Sequence, residues 1–152
     1  MKKIFSMLFI ATMLCMVSVA CGDDKDEPEM PKTQNLESVH ENEGDTYFVF
    51  DIDMNKDKSV IYMYNIQFAP RAPKMTLRVN VPVSLNQSDN AYILSGTGLV
   101  AEMYSESAGW IPMPDEQYQL NNLMCTVFPN TKLYSISFDA HGGHFQMEGK
   151  LR

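Results

Sequence analysis

The sequence of 152 residues lacks most of the patterns on which enzymes rely. It has three histidines, three cysteines and one tryptophan, and it contains no Gly-x-Ser-x-Gly elbow, phosphate-binding loop or His-Glu-x-x-His motif. Those motifs supply the nucleophile, the phosphate cradle or the zinc ligands of large enzyme classes. The sequence therefore favours a protein that is not an enzyme, and no cofactor is expected.

Basic residues are also scarce. Lys and Arg number 12 against 19 Asp and Glu, which gives a net charge of −7. The excess is concentrated in 22–45, which holds nine acidic residues and two lysines. Because nucleic-acid binding depends on clustered Lys and Arg that neutralise phosphates, no nucleic-acid partner is expected.

The cysteines offer no obvious pair for an internal disulfide. Cys15 lies in an apolar leader and Cys21 follows it directly, so Cys125 is alone in the rest of the chain. It lies within the apolar run 123–128, where a buried and unreactive thiol is expected. The fold is therefore expected to depend on its hydrophobic core.

A long apolar run occurs at 4–17, between Lys2-Lys3 and the small residues 18–20. This order of positive, apolar and small residues is typical of a secretory signal peptide. A retained membrane helix is the alternative, but the run is shorter than the ~20 apolar residues that a span needs. We therefore predict that 1–20 is a signal peptide.

The apolar run followed by Ala20-Cys21 resembles the lipobox of bacterial lipoproteins, whose cysteine is acylated. The acidic stretch 22–27 resembles the surface-export signal that follows this cysteine in gut-type Gram-negative bacteria. The resemblance implies lipidation at Cys21 and a membrane partner, with the protein anchored to the outer membrane of the cell envelope on its periplasmic or surface face. Ordinary cleavage after Ser18-x-Ala20 is the alternative and would leave no lipid anchor.

The segment 21–45 contains Pro28 and Pro31, runs of like charge and few large apolar residues. Such a composition buries too little apolar surface to offset the entropy of ordering. We predict that this segment is a disordered acidic tether, with order beginning near 36–39. The remaining 46–152 has the size of one folded domain.

Apolar and polar residues alternate through most of 46–152, which is the period of β-strands with one buried face. Three strands are predicted first, at 46–54, 60–68 and 75–83. The third has an inward face of Met75, Leu77, Val79, Val81 and Val83. Near the end, a two-residue turn at Gly142-Gly143 predicts a hairpin that sets Phe138 opposite Met147. The aromatic residues on the inward faces are then Phe48, Phe50, Tyr62, Tyr64, Phe68, Tyr134 and Phe138.

The pattern predicts an all-β fold of about eight antiparallel strands in a meander, closed into a small barrel, with a β-sandwich as the alternative. The leader, the tether and a close of the type Ser135-Ile136-Ser137-Phe138 … Phe145-x-Met147-x-Gly149 resemble the calycin-like, or lipocalin-like, β-barrel lipoproteins of Gram-negative gut bacteria. That resemblance implies a calycin-like barrel whose interior holds a small apolar or amphipathic ligand.

Two functions are compatible with these observations. The first is a membrane-anchored, non-enzymatic binding module for a small apolar or amphipathic ligand, with the inward aromatic residues as candidate lining; the same residues could instead form a filled core. The alternative is a surface or periplasmic interaction protein that binds a glycan or a protein through loops around Trp110 and 70–73. The oligomeric state stays open.

A metal site has weak support. His141 and His144 flank the predicted Gly142-Gly143 turn and would face each other across the hairpin, with Asp139 diagonal to them. Two imidazoles and a carboxylate are suitable ligands for zinc. Polar residues beside an exposed turn are the simpler interpretation, so no metal is expected.

Overall fold

The computed structural model describes residues 33–39 and 46–152. The predicted signal peptide 1–20, the lipidation site Cys21 and the tether except 33–39 lie outside the described residues. Within those two described ranges, no helix has the length and apolar character that a membrane crossing requires.

The described residues form ten β-strands and one short 3-10 turn, which confirms the all-β prediction. The turn is Glu116–Tyr118. The strands are β1 Thr33–Glu37, β2 Tyr47–Asp53, β3 Lys58–Ile66, β4 Met75–Asn86, β5 Ala91–Gly96, β6 Glu102–Ser105, β7 Gly109–Pro112, β8 Asn121–Phe128, β9 Leu133–Ala140 and β10 Gly143–Lys150.

Eight of these strands pair in the order β1-β2-β3-β4-β5-β8-β9-β10, each antiparallel to its neighbour. The predicted meander of about eight strands is therefore confirmed. The hairpin β6-β7 is inserted between β5 and β8 and joins the sheet through β4. The sheet curls until its two ends meet: the Val39 amide donates to the Lys150 carbonyl at 2.8 Å, and the Arg152 amide donates to the Glu37 carbonyl at 2.9 Å. This curled sheet is consistent with a small barrel.

The first strand begins earlier than the sequence predicts. β1 lies inside the predicted tether 21–45 and begins three residues before 36–39, where the sequence predicts order to begin. The strand is mostly polar, but Leu36 lies opposite the fully buried Phe50 on β2. An edge strand needs backbone pairing and one packed face more than a long apolar run, which explains why composition failed to reveal it.

The core lies on the inner face of the curled sheet. Phe48, Phe50 and Ile52 alternate with more exposed neighbours along β2 and are at most 1% exposed. The rings of Phe48 and Phe50 lie 5.7 and 5.3 Å from the ring of Tyr134 on β9. The inward face predicted for β4 is also confirmed, because its alternate residues Leu77, Val79, Val81 and Val83 are all buried.

The inward face predicted for β3 is wrong over most of the strand. Ile61 and Met63 are fully buried, whereas Tyr62 and Tyr64 lie on the outer face and are partly exposed. A β-bulge shifts the pairing of β3 with β4 between Met63 and Ile66, at Asn65, whose φ is +57°. Because one extra residue reverses the alternation, extending the pattern back from the buried Ile66 selects the wrong face.

The final hairpin exists, but its turn differs from the prediction. The two turn residues are His141 and Gly142, with φ of +50° and +72°, and Ala140 pairs with Gly143. Positive φ at both central positions is the requirement of a type I′ turn, which matches the twist of the flanking strands. Phe138 consequently lies opposite Phe145 instead of Met147. The pairing is therefore shifted by two residues from the prediction. The cross-strand partners change, but each side chain stays on its predicted face of the hairpin.

Candidate functional site

Five aromatic side chains gather on the outer face of the sheet, and we call this group the outer aromatic surface. They come from four strands, because Tyr47 lies on β2, Tyr62 and Tyr64 on β3, Tyr104 on β6 and Trp110 on β7. The bulge of β3 follows Met63. Met63 therefore faces the core, and its neighbours Tyr62 and Tyr64 face outward.

One end of the surface is a stacked tyrosine pair. Tyr47 and Tyr64 are direct cross-strand partners, with ring centroids 4.3 Å apart and planes within 4° of parallel. Next to them, the Thr46 hydroxyl donates to the Asn65 carbonyl at 3.1 Å. Aromatic cross-strand pairs are worth about 0.5–1.5 kcal/mol beyond their buried area, so this pair fixes both rings in place.

The other end is centred on Trp110. Its ring meets Tyr62 at 5.9 Å and Tyr104 at 5.3 Å, both nearly edge-on. The Arg78 guanidinium lies 4.7 Å from the centroid of the Trp110 ring and pairs with Glu102. Such a cation–π contact is worth about 0.5–2 kcal/mol, depending on its exposure. The sequence predicts 110–114 to be an edge strand or a loop, and β7 is an edge strand paired with β6.

The polar groups of this surface keep their usual protonation states. The hydrogen bond to Glu102 is the main cause that holds the pKa of Arg78 above its usual value, so the guanidinium stays charged and paired. Burial, followed by the neighbouring Tyr47 and Tyr62, raises the pKa of Tyr64. Its hydroxyl therefore keeps its proton at neutral pH and can both donate and accept a hydrogen bond.

The interior holds five of the seven predicted lining residues. Phe48, Phe50, Phe68, Tyr134 and Phe138 are buried, whereas the outward Tyr62 and Tyr64 are corrections to the lining prediction. The buried rings pack against one another: Phe48 and Phe50 lie 6.1 Å apart, and Phe138 stacks on Phe145 at 5.2 Å. These contacts favour a filled core at these positions.

Two other interior groups bear on function. Cys125 is fully buried, and burial raises the pKa of its thiol far above the usual value, as expected for an unreactive core residue. Tyr92, which the sequence reading did not single out, is also fully buried, and its hydroxyl has no hydrogen-bond partner among the described residues. The sequence signal that could have indicated a buried hydroxyl was a tyrosine within the short apolar strand β5.

The histidines at the final hairpin do not face each other as predicted. His144 lies opposite Asp139, with Nδ1 at 2.6 Å from Oδ1, whereas His141 belongs to the turn and stacks on Tyr118 at 5.5 Å. Over 33–39 and 46–152, no three His, Cys, Asp or Glu side chains come together as ligands for a metal ion. The corrected turn therefore removes the predicted cross-strand pairing of His141 with His144.

The loop 70–73, the second element of the predicted interaction surface, is an exposed turn. The Ala72 amide donates to the Ala69 carbonyl at 2.9 Å, and the Gln67 side chain donates to the Ala72 carbonyl at 2.6 Å and the Pro70 carbonyl at 3.3 Å. These bonds tie the loop to Gln67 at the end of the preceding segment.

Comparison with protein-family models, with curated proteins and with solved structures finds no match for the chain. The resemblance to calycin-like lipoproteins stays a prediction that depends on the sequence alone.

Proposed function

We propose that this chain is a non-enzymatic binding module that contacts a protein partner through the outer aromatic surface. The observation that carries the proposal is the grouping of Trp110, four tyrosines and Arg78 on one sheet face. Trp, Tyr and Arg are the residues most enriched among the hot spots of protein interfaces. Tyrosine and tryptophan also give large contact area at a small cost in conformational entropy.

The exposure of this region supports binding over a purely structural role. Tyr104 is 49% exposed, and the other four rings of the surface are partly exposed. Contiguous exposed aromatic side chains on a small domain commonly mark an interaction site. The rings are held by their own contacts and by the Arg78–Glu102 pair, so little ordering is required when a partner binds.

The lipid anchor at Cys21 would place this module at the outer membrane. With β1 beginning at Thr33, only 21–32 separates the predicted lipidation site from the first strand, about half of the predicted tether. A flexible chain of that length, as the sequence predicts for the tether, spans roughly 19 Å on average. The partner is therefore expected to be a protein of the cell envelope that lies close to the membrane surface.

The test is quantitative affinity capture from envelope extracts with three forms of the protein. Tyr104→Ala removes the most exposed ring of the surface, and Met124→Ala is the matched control, because Met124 is equally exposed on β8 in the other part of the sheet. We expect at least one protein to bind the wild type and Met124→Ala forms but not Tyr104→Ala. If no protein shows this pattern, the proposal is wrong. A glycan that does so would establish the glycan alternative.

A small interior ligand remains the second candidate, because of Tyr92. Its buried hydroxyl is without a partner in the described part of the chain, and leaving such a group unsatisfied costs about 1–3 kcal/mol. A polar atom of a ligand next to Oη would remove that cost. Native mass spectrometry of gently purified protein that includes β1 tests this candidate. A discrete adduct lost on unfolding supports it, and a bare mass refutes it.

A further inference from the structure

A polar cleft lies on the outer surface at one end of the sheet, away from the outer aromatic surface. It is bounded by the 3-10 turn Glu116–Tyr118 on one side and by the turn between β9 and β10 on the other, and its volume is about 440 Å³. The side chains that matter most for its chemistry are Glu116, Gln119, Asn121, Asp139 and His144. The cleft is within the usual size range of small-molecule sites.

A chain of hydrogen bonds fixes the acidic side of the cleft. The Asn122 amide donates to Asp139 Oδ2 at 2.7 Å, and His144 Nδ1 lies 2.6 Å from Asp139 Oδ1. The Asn122 and His144 hydrogen bonds hold the pKa of Asp139 below its usual value, so the carboxylate stays ionised. With Nδ1 bonded to this carboxylate, the imidazole Nε2 is left for another partner.

The amide side of the cleft is fixed in the same way. Asn121 Oδ1 accepts from the Gly98 amide at 2.9 Å and from the Thr97 hydroxyl at 3.3 Å, which leaves the Asn121 amide hydrogens for a ligand. The pairing of β8 with β9 shifts between Asn121 and Met124, and Asn122 has a φ of +49°. Bulges of this kind re-aim side chains, and this one places two successive asparagines beside Asp139.

Aromatic contacts behind the cleft hold one of its lining residues, His141, in place. The His141 ring stacks on Tyr118, with planes 14° apart, and its backbone amide donates to the Gln117 carbonyl at 2.7 Å. Phe68 lies behind this pair, 6.2 Å from the Tyr118 ring and 6.3 Å from the His141 ring. The 3-10 turn is thus tied to the hairpin by both stacking and a backbone hydrogen bond.

We propose that this cleft binds a neutral polyhydroxylated ligand, namely a monosaccharide or a disaccharide unit. Hydroxyl groups both donate and accept, which suits a cleft that offers carboxylate, amide and imidazole groups together. The lining holds Glu116 and Asp139 and no lysine or arginine, so phosphate and other anions are disfavoured. The His141 imidazole adds a further polar ring to this lining. This inference does not depend on the outer aromatic surface.

Internal contacts distinguish this cleft from a surface of unpaired polar side chains. Asn121, Asp139, His144 and His141 each contact a second group of the protein. Sites that bind with specificity are supported by such second contacts. The Glu116 carboxylate lies exposed at the rim and can be changed without breaking any of them.

The test is a titration of the isotopically labelled protein with glucose, galactose, N-acetylglucosamine and maltose, followed by nuclear magnetic resonance up to about 20 mM sugar, as millimolar affinity requires. We expect at least one sugar to shift the side-chain amide signals of Asn121 and Gln119 in a saturable way. Glu116→Ala is expected to weaken that binding about tenfold, the loss of one hydrogen bond to a charged group. Glu106→Ala, an exposed acidic residue between β6 and β7, is the control and should bind as the wild type does.

Either of two results overturns the proposal. One is the absence of any saturable shift at these amides with all four sugars. The other is a shift that Glu116→Ala leaves unchanged, which would place the sugar elsewhere on the protein. Capture experiments with Tyr104→Ala report on the outer aromatic surface alone, so the two proposals can fail separately.

Discussion

The assignment of faces on β3 can be tested with two neighbouring residues. Met63 is fully buried and Tyr62 lies on the outer face beside Trp110. Met63→Ala removes a side chain from a packed core and is expected to lower the free energy of unfolding by about 2–5 kcal/mol. Tyr62→Ala removes a larger side chain but mainly an edge-on ring contact, so a loss of about 0.5–1.5 kcal/mol is expected.

Urea unfolding followed by circular dichroism measures both losses, provided that the slope with denaturant is the same in all variants. Met63→Leu is the matched control, because a swap of similar volume costs less than about 1.5 kcal/mol. If Tyr62→Ala is more destabilising than Met63→Ala, the bulge at Asn65 is absent and the simple alternation predicted from sequence is right. That result would also remove Tyr62 and Tyr64 from the outer aromatic surface.

Two further predictions concern the final hairpin. A Cβ at Gly149 would lie 2.8 Å from the ring of its cross-strand partner Tyr134, so Gly149→Ala should cost about 1–3 kcal/mol by thermal unfolding. Gly143→Ala, which meets ordinary contacts at 3.5 Å, is the control; equal losses would contradict the close packing. Hydrogen bonds with Asn122 and then with His144 lower the pKa of Asp139 in the folded protein. Asp139 therefore stabilises the fold fully above its unfolded pKa of about 4, and this stabilisation is lost as the pH falls through the lower pKa of the folded state. The free energy of unfolding of the wild type should therefore exceed that of Asp139→Asn at neutral pH and approach it in acid. A difference between the two proteins that does not change with pH would refute this.

Strands with regular alternation were predictable from sequence. β2 and β4 have the predicted inward faces, because neither strand contains an extra residue that interrupts its own alternation. β3 does not, since Asn65 adds a residue that no pattern of apolar side chains reveals. At the final hairpin, Gly142-Gly143 is the obvious turn, yet His141 takes the left-handed conformation and stacks on Tyr118. That stacking depends on a residue far away in the sequence.

The candidate sites were less predictable than the fold. The sequence predicts Trp110 as a contact residue, but its neighbours Tyr62 and Tyr104 come from other strands. The sequence pattern places Tyr62 inside and gives no signal for Tyr104. The cleft depends on the meeting of a 3-10 turn, a bulge in β8 and the final hairpin. Its residues are far apart in sequence and belong to no motif. Tertiary contact alone brings them together.

The meeting of β1 with the end of β10 has a consequence for how the protein folds. The contact between Glu37 and Arg152 joins residues 115 positions apart, so the sheet can curl shut only after nearly all of its strands have been synthesised. Contacts of such long sequence range form late and slow folding, because the entropy of closing the loop must be overcome first. Until then, β1 and β10 are both unpaired edges that can associate with other chains. The period before closure is therefore the stage at which this chain is most exposed to aggregation, and at which a chaperone would have the greatest effect.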